Sequence, residues 1–82
     1  MNPRPYRAFY WKSMRKPLFT VQHWSHIGRA ASLRGALRAA ILHLLDGRAR
    51  YVLIENVTTT RTAARIWLDK GRITMILLEK SK

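Results

Sequence analysis

Cysteine is absent from the chain. That excludes a disulfide framework and a thiolate zinc site, and it makes a cytoplasmic setting the expectation. Carboxylates are scarce: Asp46, Glu55, Asp69 and Glu79 are all there are. No two of them show a spacing that pairs them for acid–base work. Gly28, Gly35, Gly47 and Gly71 stand apart from one another, so there is neither a P-loop nor a dinucleotide fingerprint. No apolar run approaches the ~20 residues of a membrane-spanning helix. Met1 is followed by Asn, Pro and Arg rather than a charged segment and a long apolar run, so no signal peptide is expected. Internal repeats and low-complexity tracts are lacking too.

Positive charge is what the chain has in excess. Sixteen Lys and Arg against four Asp and Glu leave +12 on 82 residues. A charge that large repels itself within one small domain and attracts polyanions. Eleven of the sixteen are Arg, whose planar guanidinium donates bidentately to phosphate oxygens. The length fits one domain, with a basic arm over residues 1–5 and a short basic tail over 80–82. A core this small leaves stability marginal unless a partner or a second copy helps.

The clearest element is the stretch from Ser32 to Gly47. Leu33, Ala36, Leu37, Ala40, Ile41 and Leu44 recur at helical spacing and form one apolar stripe. Leu37 and Ile41 are expected to be buried against a sheet. Ser32 is placed to cap the amino end. Gly47 is placed to close the carboxyl end in a left-handed conformation. A start one turn earlier, within Gly28–Ala31, is also open. Gly35, Ala39 and Leu42 fall on the opposite face and suit a dimer or partner contact, although scattered exposed small and apolar residues are normal and the ordinary surface reading is preferred.

On either side of this helix the pattern is strand-like. Tyr6–Ser13 reads as a first strand, Met14–Pro17 as a basic turn, and Leu18–Trp24 as a second strand. Ser25–Ala31 reads as a connector to the helix. Tyr51–Val57 follows as a well-buried central strand. Thr58–Lys70 fits two readings. Ala64, Ile66 and Leu68 alternate with Arg65, Trp67 and Asp69 as in a hairpin. Ala63, Ile66, Trp67 and Lys70 also fall at helical spacing. The hairpin is preferred, with Asp69-Lys70-Gly71 as a three-residue turn. Arg72–Glu79 reads as the last strand. The sequence order is ββαβββ: an α+β fold with a mostly antiparallel sheet and one helix on one face.

Catalytic and metal signatures are weak. Ser25 lies between His23 and His26 without a nucleophile elbow. The His23-x-x-His26 pair has only His43 beyond it, so a closed metal site would need a carboxylate. No metal, cofactor or catalytic residue is therefore expected, and the protein reads as a non-enzyme. The run Thr58-Thr59-Thr60-Arg61-Thr62 could hold phosphate oxygens or simply be a solvated turn. Tyr6-Arg7, Tyr10-Trp11-Lys12 and His23-Trp24 interleave aromatic and basic groups, as faces that stack unpaired bases do. The aromatic motif of RNA recognition domains, the GxxG loop of KH domains and a helix-turn-helix pair are all missing.

These features lead to a small, basic, non-catalytic protein that binds nucleic acid, DNA or RNA, through Arg and Lys contacts to the backbone. The candidate contacts are Arg34, Arg38, Arg48, Arg50, Arg61 and Arg65. The rival expectation is a protein-binding regulator or inhibitor, of the phage-encoded type, docking on an acidic host surface. A homodimer through Gly35, Ala39 and Leu42 is compatible with either, and no membrane span is expected.

Overall fold

The computed structural model describes residues 4–11 and 25–79. Five strands and one helix follow in the order β1 (Tyr6–Trp11), β2 (Ser25–Ala30), α1 (Leu33–Leu45), β3 (Tyr51–Asn56), β4 (Arg61–Asp69) and β5 (Arg72–Leu77). All five strands join one sheet in the spatial order β2-β1-β3-β4-β5, and every neighbouring pair is antiparallel. The helix lies over β1 to β4. The fold is the α+β layer with ββαβββ order that the patterning implies.

Helix α1 forms where its capping residues place it. Ser32 sits in extended conformation, and its hydroxyl accepts from the Gly35 N–H at 3.1 Å. At the other end Gly47 has φ +74°. The Gly47 N–H donates to the Leu44 carbonyl and the Arg48 N–H to the His43 carbonyl. These paired bonds make a Schellman closure, which satisfies carbonyls that the helix end would otherwise leave bare. Leu33, Ala36, Ala40 and Leu44 are buried. They meet Ala8, Val52, Ile54, Ala63, Ala64 and Ile66 of the sheet. Leu37 and Ile41 depart from expectation: both are only half-buried. They lie on the flank of α1 turned toward β5, where the helix no longer covers the strands.

Several boundaries also shift. The expected connector Ser25–Ala31 is largely strand β2. Ile27 and Ala30 pack on the core, and the register slips between Ala8 and Phe9, so Ile27 is an extra residue on the β2 side. That bulge breaks the simple alternation which would have marked the strand. The Thr58–Lys70 region belongs to hairpins. Its second turn has two central residues rather than three: Lys70 (φ +51°) and Gly71 (φ +81°) join the paired Asp69 and Arg72. Two positive φ values match the right-handed twist of the flanking strands. The turn between β3 and β4 is organised by Asn56, whose Oδ1 accepts from the Thr58 and Thr59 amides. A second slip, between Ile54 and Glu55, sends both Ala63 and Ala64 into the helix-side core. The expected strand Leu18–Trp24, the turn Met14–Pro17, the end of the first strand at Lys12 and Ser13, most of the arm, and the tail 80–82 lie outside the described residues.

Candidate nucleic-acid interface

Strand alternation assigns each side chain to one of two sheet faces. Tyr6, Ala8 and Tyr10 of β1 point toward α1. Arg7, Phe9 and Trp11 point away. Cross-strand register carries this assignment outward: Phe9 opposes Leu53, Trp11 opposes Tyr51, Tyr51 opposes Trp67, and Leu53 opposes Arg65. The face away from the helix therefore gathers Phe9, Trp11, Tyr51 and Trp67 with Arg7, Arg29 and Arg65, and with the Glu55 carboxylate beside Arg7. Among the described residues, no second helix covers it.

The rings are ordered. Tyr51 and Trp67 stack with centroids 5.3 Å apart and planes 6° from parallel. Phe9 and Leu53 form a small buried cluster on which Trp11 and Tyr51 pack. The Arg7 guanidinium lies 5.7 Å from the Phe9 ring centroid, within cation–π reach. Arg7 stands directly between Arg29 on β2 and Glu55 on β3. Trp11, Tyr51, Trp67, Arg7 and Arg65 are half-buried and Arg29 is exposed. Their stems and ring bodies are held by neighbours, while part of each stays open to solvent.

The six arginines singled out by sequence do not converge on one groove. Arg34 and Arg38 are exposed on α1. They flank an apolar groove of about 310 Å³ that also contains Leu37, Ile41, Leu42 and Met75. Arg48 and Arg50 occupy the corner after α1, at the end of the sheet marked by Trp11 and Leu68. Arg48 pairs loosely with Asp46 at 3.9 Å; both side chains are well solvated, so the pair adds little to stability. Arg61 sits at the opposite end, level with Asn56. Only Arg65 belongs to the aromatic face. Gly35, Ala39 and Leu42 do share one side of α1, with Gly35 and Leu42 exposed and Ala39 half-buried. A methyl group at Gly35 would meet Ser32 Oγ at 3.4 Å and Ala30 Cβ at 3.6 Å, which is ordinary contact.

The hydroxyl-rich segment is also placed. Thr59, Arg61 and Thr62 line a cleft of about 390 Å³ with Asn56, Leu78 and Glu79. The Glu79 carboxylate accepts from Asn56 Nδ2 at 2.9 Å and from the Tyr6 hydroxyl. A carboxylate there opposes a phosphate, so this cleft is a poor anion site. That hydrogen bond to Glu79, then burial and the neighbouring negative charge, hold the Tyr6 hydroxyl above the usual tyrosine range. His43 belongs to packing: its Nδ1 lies 3.0 Å from the Ala39 carbonyl and its ring 5.8 Å from that of Tyr10. Among the described residues, no three of His, Asp and Glu come together as metal ligands, and no helix is long and apolar enough to cross a membrane.

The aromatic–basic interleaving in β1, Arg7 and Trp11 included, is legible in the sequence; Tyr51, Trp67 and Arg29 as members of the same surface are not. The signal was present in β3 and β4 as Tyr51 and Trp67 at outward-alternating positions. Joining them needed the register between the strands. Against protein-family models, curated proteins and solved structures, the chain shows no significant match.

Proposed function

We propose that the protein binds single-stranded nucleic acid, without catalysis, on the sheet face away from α1. One observation carries this reading: a single face sets the half-exposed rings of Trp11, Tyr51 and Trp67 among Arg7, Arg29 and Arg65. Unpaired bases stack on such rings, and the guanidinium groups neutralise the phosphates between them. Paired bases in a duplex are not free to stack this way. Arg34 and Arg38 on α1, and Arg48, Arg50 and Arg61 at the two sheet ends, supply a diffuse positive field that speeds encounter without reading structure. The rival reading, an acidic protein surface as partner, draws on the apolar groove of α1 flanked by Arg34 and Arg38.

Binding of one fluorescent oligonucleotide, offered single-stranded, as duplex and as an abasic strand, separates the two terms over about 50–300 mM salt. The intact single strand should bind most tightly near physiological salt. The abasic strand should lose the stacking term, worth about 1–3 kcal/mol per stacked base. Arg7→Ala and Arg65→Ala should each flatten the salt dependence by about one unit of slope. Arg61→Ala, at the far end of the sheet, should change it less. Equal affinity for all three ligands, vanishing together as salt rises, would reject the proposal and favour the protein partner.

A further inference from the structure

The two edges of the sheet are built differently. The β2 edge carries a bulge at Ile27, Gly28 at φ +152° and the exposed Arg29. Bulges and charges of this kind prevent a sheet edge from pairing with another strand. Among the described residues, the β5 edge has no bulge, and its one charge, Arg72, lies at the hairpin end. From Ile73 to Leu78 the sequence is Ile-Thr-Met-Ile-Leu-Leu, without charge, proline or glycine. Met75 is 38%, Ile76 46%, Leu77 52% and Leu78 54% exposed.

The Leu78 N–H donates to the Ala63 carbonyl, and Asp69 pairs with Arg72 at the hairpin turn. Bonded and non-bonded pairs alternate along an antiparallel ladder, so Ile76 and Thr74 bond inward to β4. The N–H and C=O groups of Ile73, Met75 and Leu77 then point outward, away from the sheet.

We infer that β5 pairs with β5 of a second copy, antiparallel and centred on Met75, so that two sheets join into one of ten strands. The strand is complementary to itself in this register. Met75 opposes Met75 of the second copy, and Ile73 opposes Leu77 at both ends, so all three outward residues find bonded partners. Such a two-fold contact uses the same patch on both chains and closes. The axis stands perpendicular to the sheet, which puts both aromatic faces on one side and both helices on the other. The charge of +12 does not forbid it. Each Arg72 faces Leu78 of the other copy, and the two Arg72 lie roughly 20 Å apart, well beyond the screening length of about 8 Å. Pairing also relieves a thin core: Ala8, Ala36, Ala40, Ala49, Ala63 and Ala64 make up about half of the buried helix-side cluster. This assembly differs from one through Gly35, Ala39 and Leu42, which lie on the outer side of α1.

Nuclease-treated protein is weighed by sedimentation or light scattering up to about 500 μM, a range that detects dimers of micromolar and weaker affinity. The parent should shift toward twice the monomer mass. Met75→Pro removes an N–H that bonds nothing within the monomer, so it should stay folded by circular dichroism and remain monomeric. Leu77→Lys, a second variant in case proline perturbs the hairpin, should weaken the dimer at least tenfold. Because the chain has no cysteine, Met75→Cys reports the register directly. Opposed Cα atoms about 5.5 Å apart lie within disulfide reach, and mild oxidation should give a covalent dimer. A parent that stays monomeric throughout, a dimer that survives in folded Met75→Pro and Leu77→Lys, or cross-linking by Leu42→Cys in place of Met75→Cys would each overturn the inference. In the first case the edge is left for a strand from another protein.

Discussion

Tyr51 and Trp67 oppose each other across β3 and β4, and their rings stack almost in parallel at 5.3 Å. Such a pair contributes about 0.5–1.5 kcal/mol beyond the area its rings bury. Both rings are only half-buried, so the pair is also a surface, with Arg65 on the neighbouring diagonal.

This relationship separates a stabilising role from a binding role. Trp67→Ala should cost about 1–2 kcal/mol in thermal or urea unfolding, since it deletes a half-buried ring and its stack. Trp67→Phe should restore most of that stability. For single-stranded oligonucleotide the loss on Trp67→Ala should be about tenfold or more, with duplex affinity little changed. Calorimetric melting together with fluorescence titration checks both. Loss of stability alone, with binding intact, would show the stack to be packing only.

The helix and its ends were legible because their signals are local. Ser32, Gly47 and the Leu/Ala spacing act within a few residues of themselves, and the structure uses each of them. The Thr58–Lys70 stretch was only half legible: its local pattern fitted a hairpin and a helix alike, the hairpin was preferred, and the turn at Lys70 and Gly71 is tighter than the composition suggested. What was hidden depends on register. The bulge at Ile27 disguised β2 as a connector. A slip of pairing between β3 and β4 decides that Ala63 and Ala64 share a face. The aromatic surface assembles residues up to about sixty positions apart in sequence, which only strand order can join. The arginines were visible as charge, but their positions at two sheet ends and on two faces were not.

Core geometry gives the second prediction. Leu44 is 1% exposed beneath α1, and Leu44→Ala should cost about 2–5 kcal/mol, a large part of the stability of so small a domain. Leu37→Ala, at a half-buried position beside the groove, should cost about 1–2 kcal/mol. Urea denaturation of the two variants orders them. Equal losses would mean that the groove beside β5 is closed in solution and that Leu37 is as deeply packed as Leu44.

The third prediction concerns the contact between Tyr6 and Glu79, which ties the first strand to the end of the last across 73 residues. The Tyr6 hydroxyl donates to the Glu79 carboxylate, and that bond, with burial and the nearby negative charge, raises the tyrosine pKa above its ordinary 10.0. The protonated phenol is therefore favoured more in the folded than in the unfolded chain. Its contribution is fully present below the unfolded pKa, near 10. As pH rises, the unfolded tyrosine ionises first, and the contribution fades until it is lost above the folded pKa. Tyr6→Phe should cost about 1 kcal/mol at neutral pH, the net value of one such hydrogen bond. The gap between parent and variant should hold constant up to about pH 9 and narrow from about pH 10 upward. Stability measured by urea unfolding at intervals from neutral to alkaline pH gives the gap directly. A gap that stays constant through the alkaline range would show that the proton on Tyr6 is not what joins the two strands.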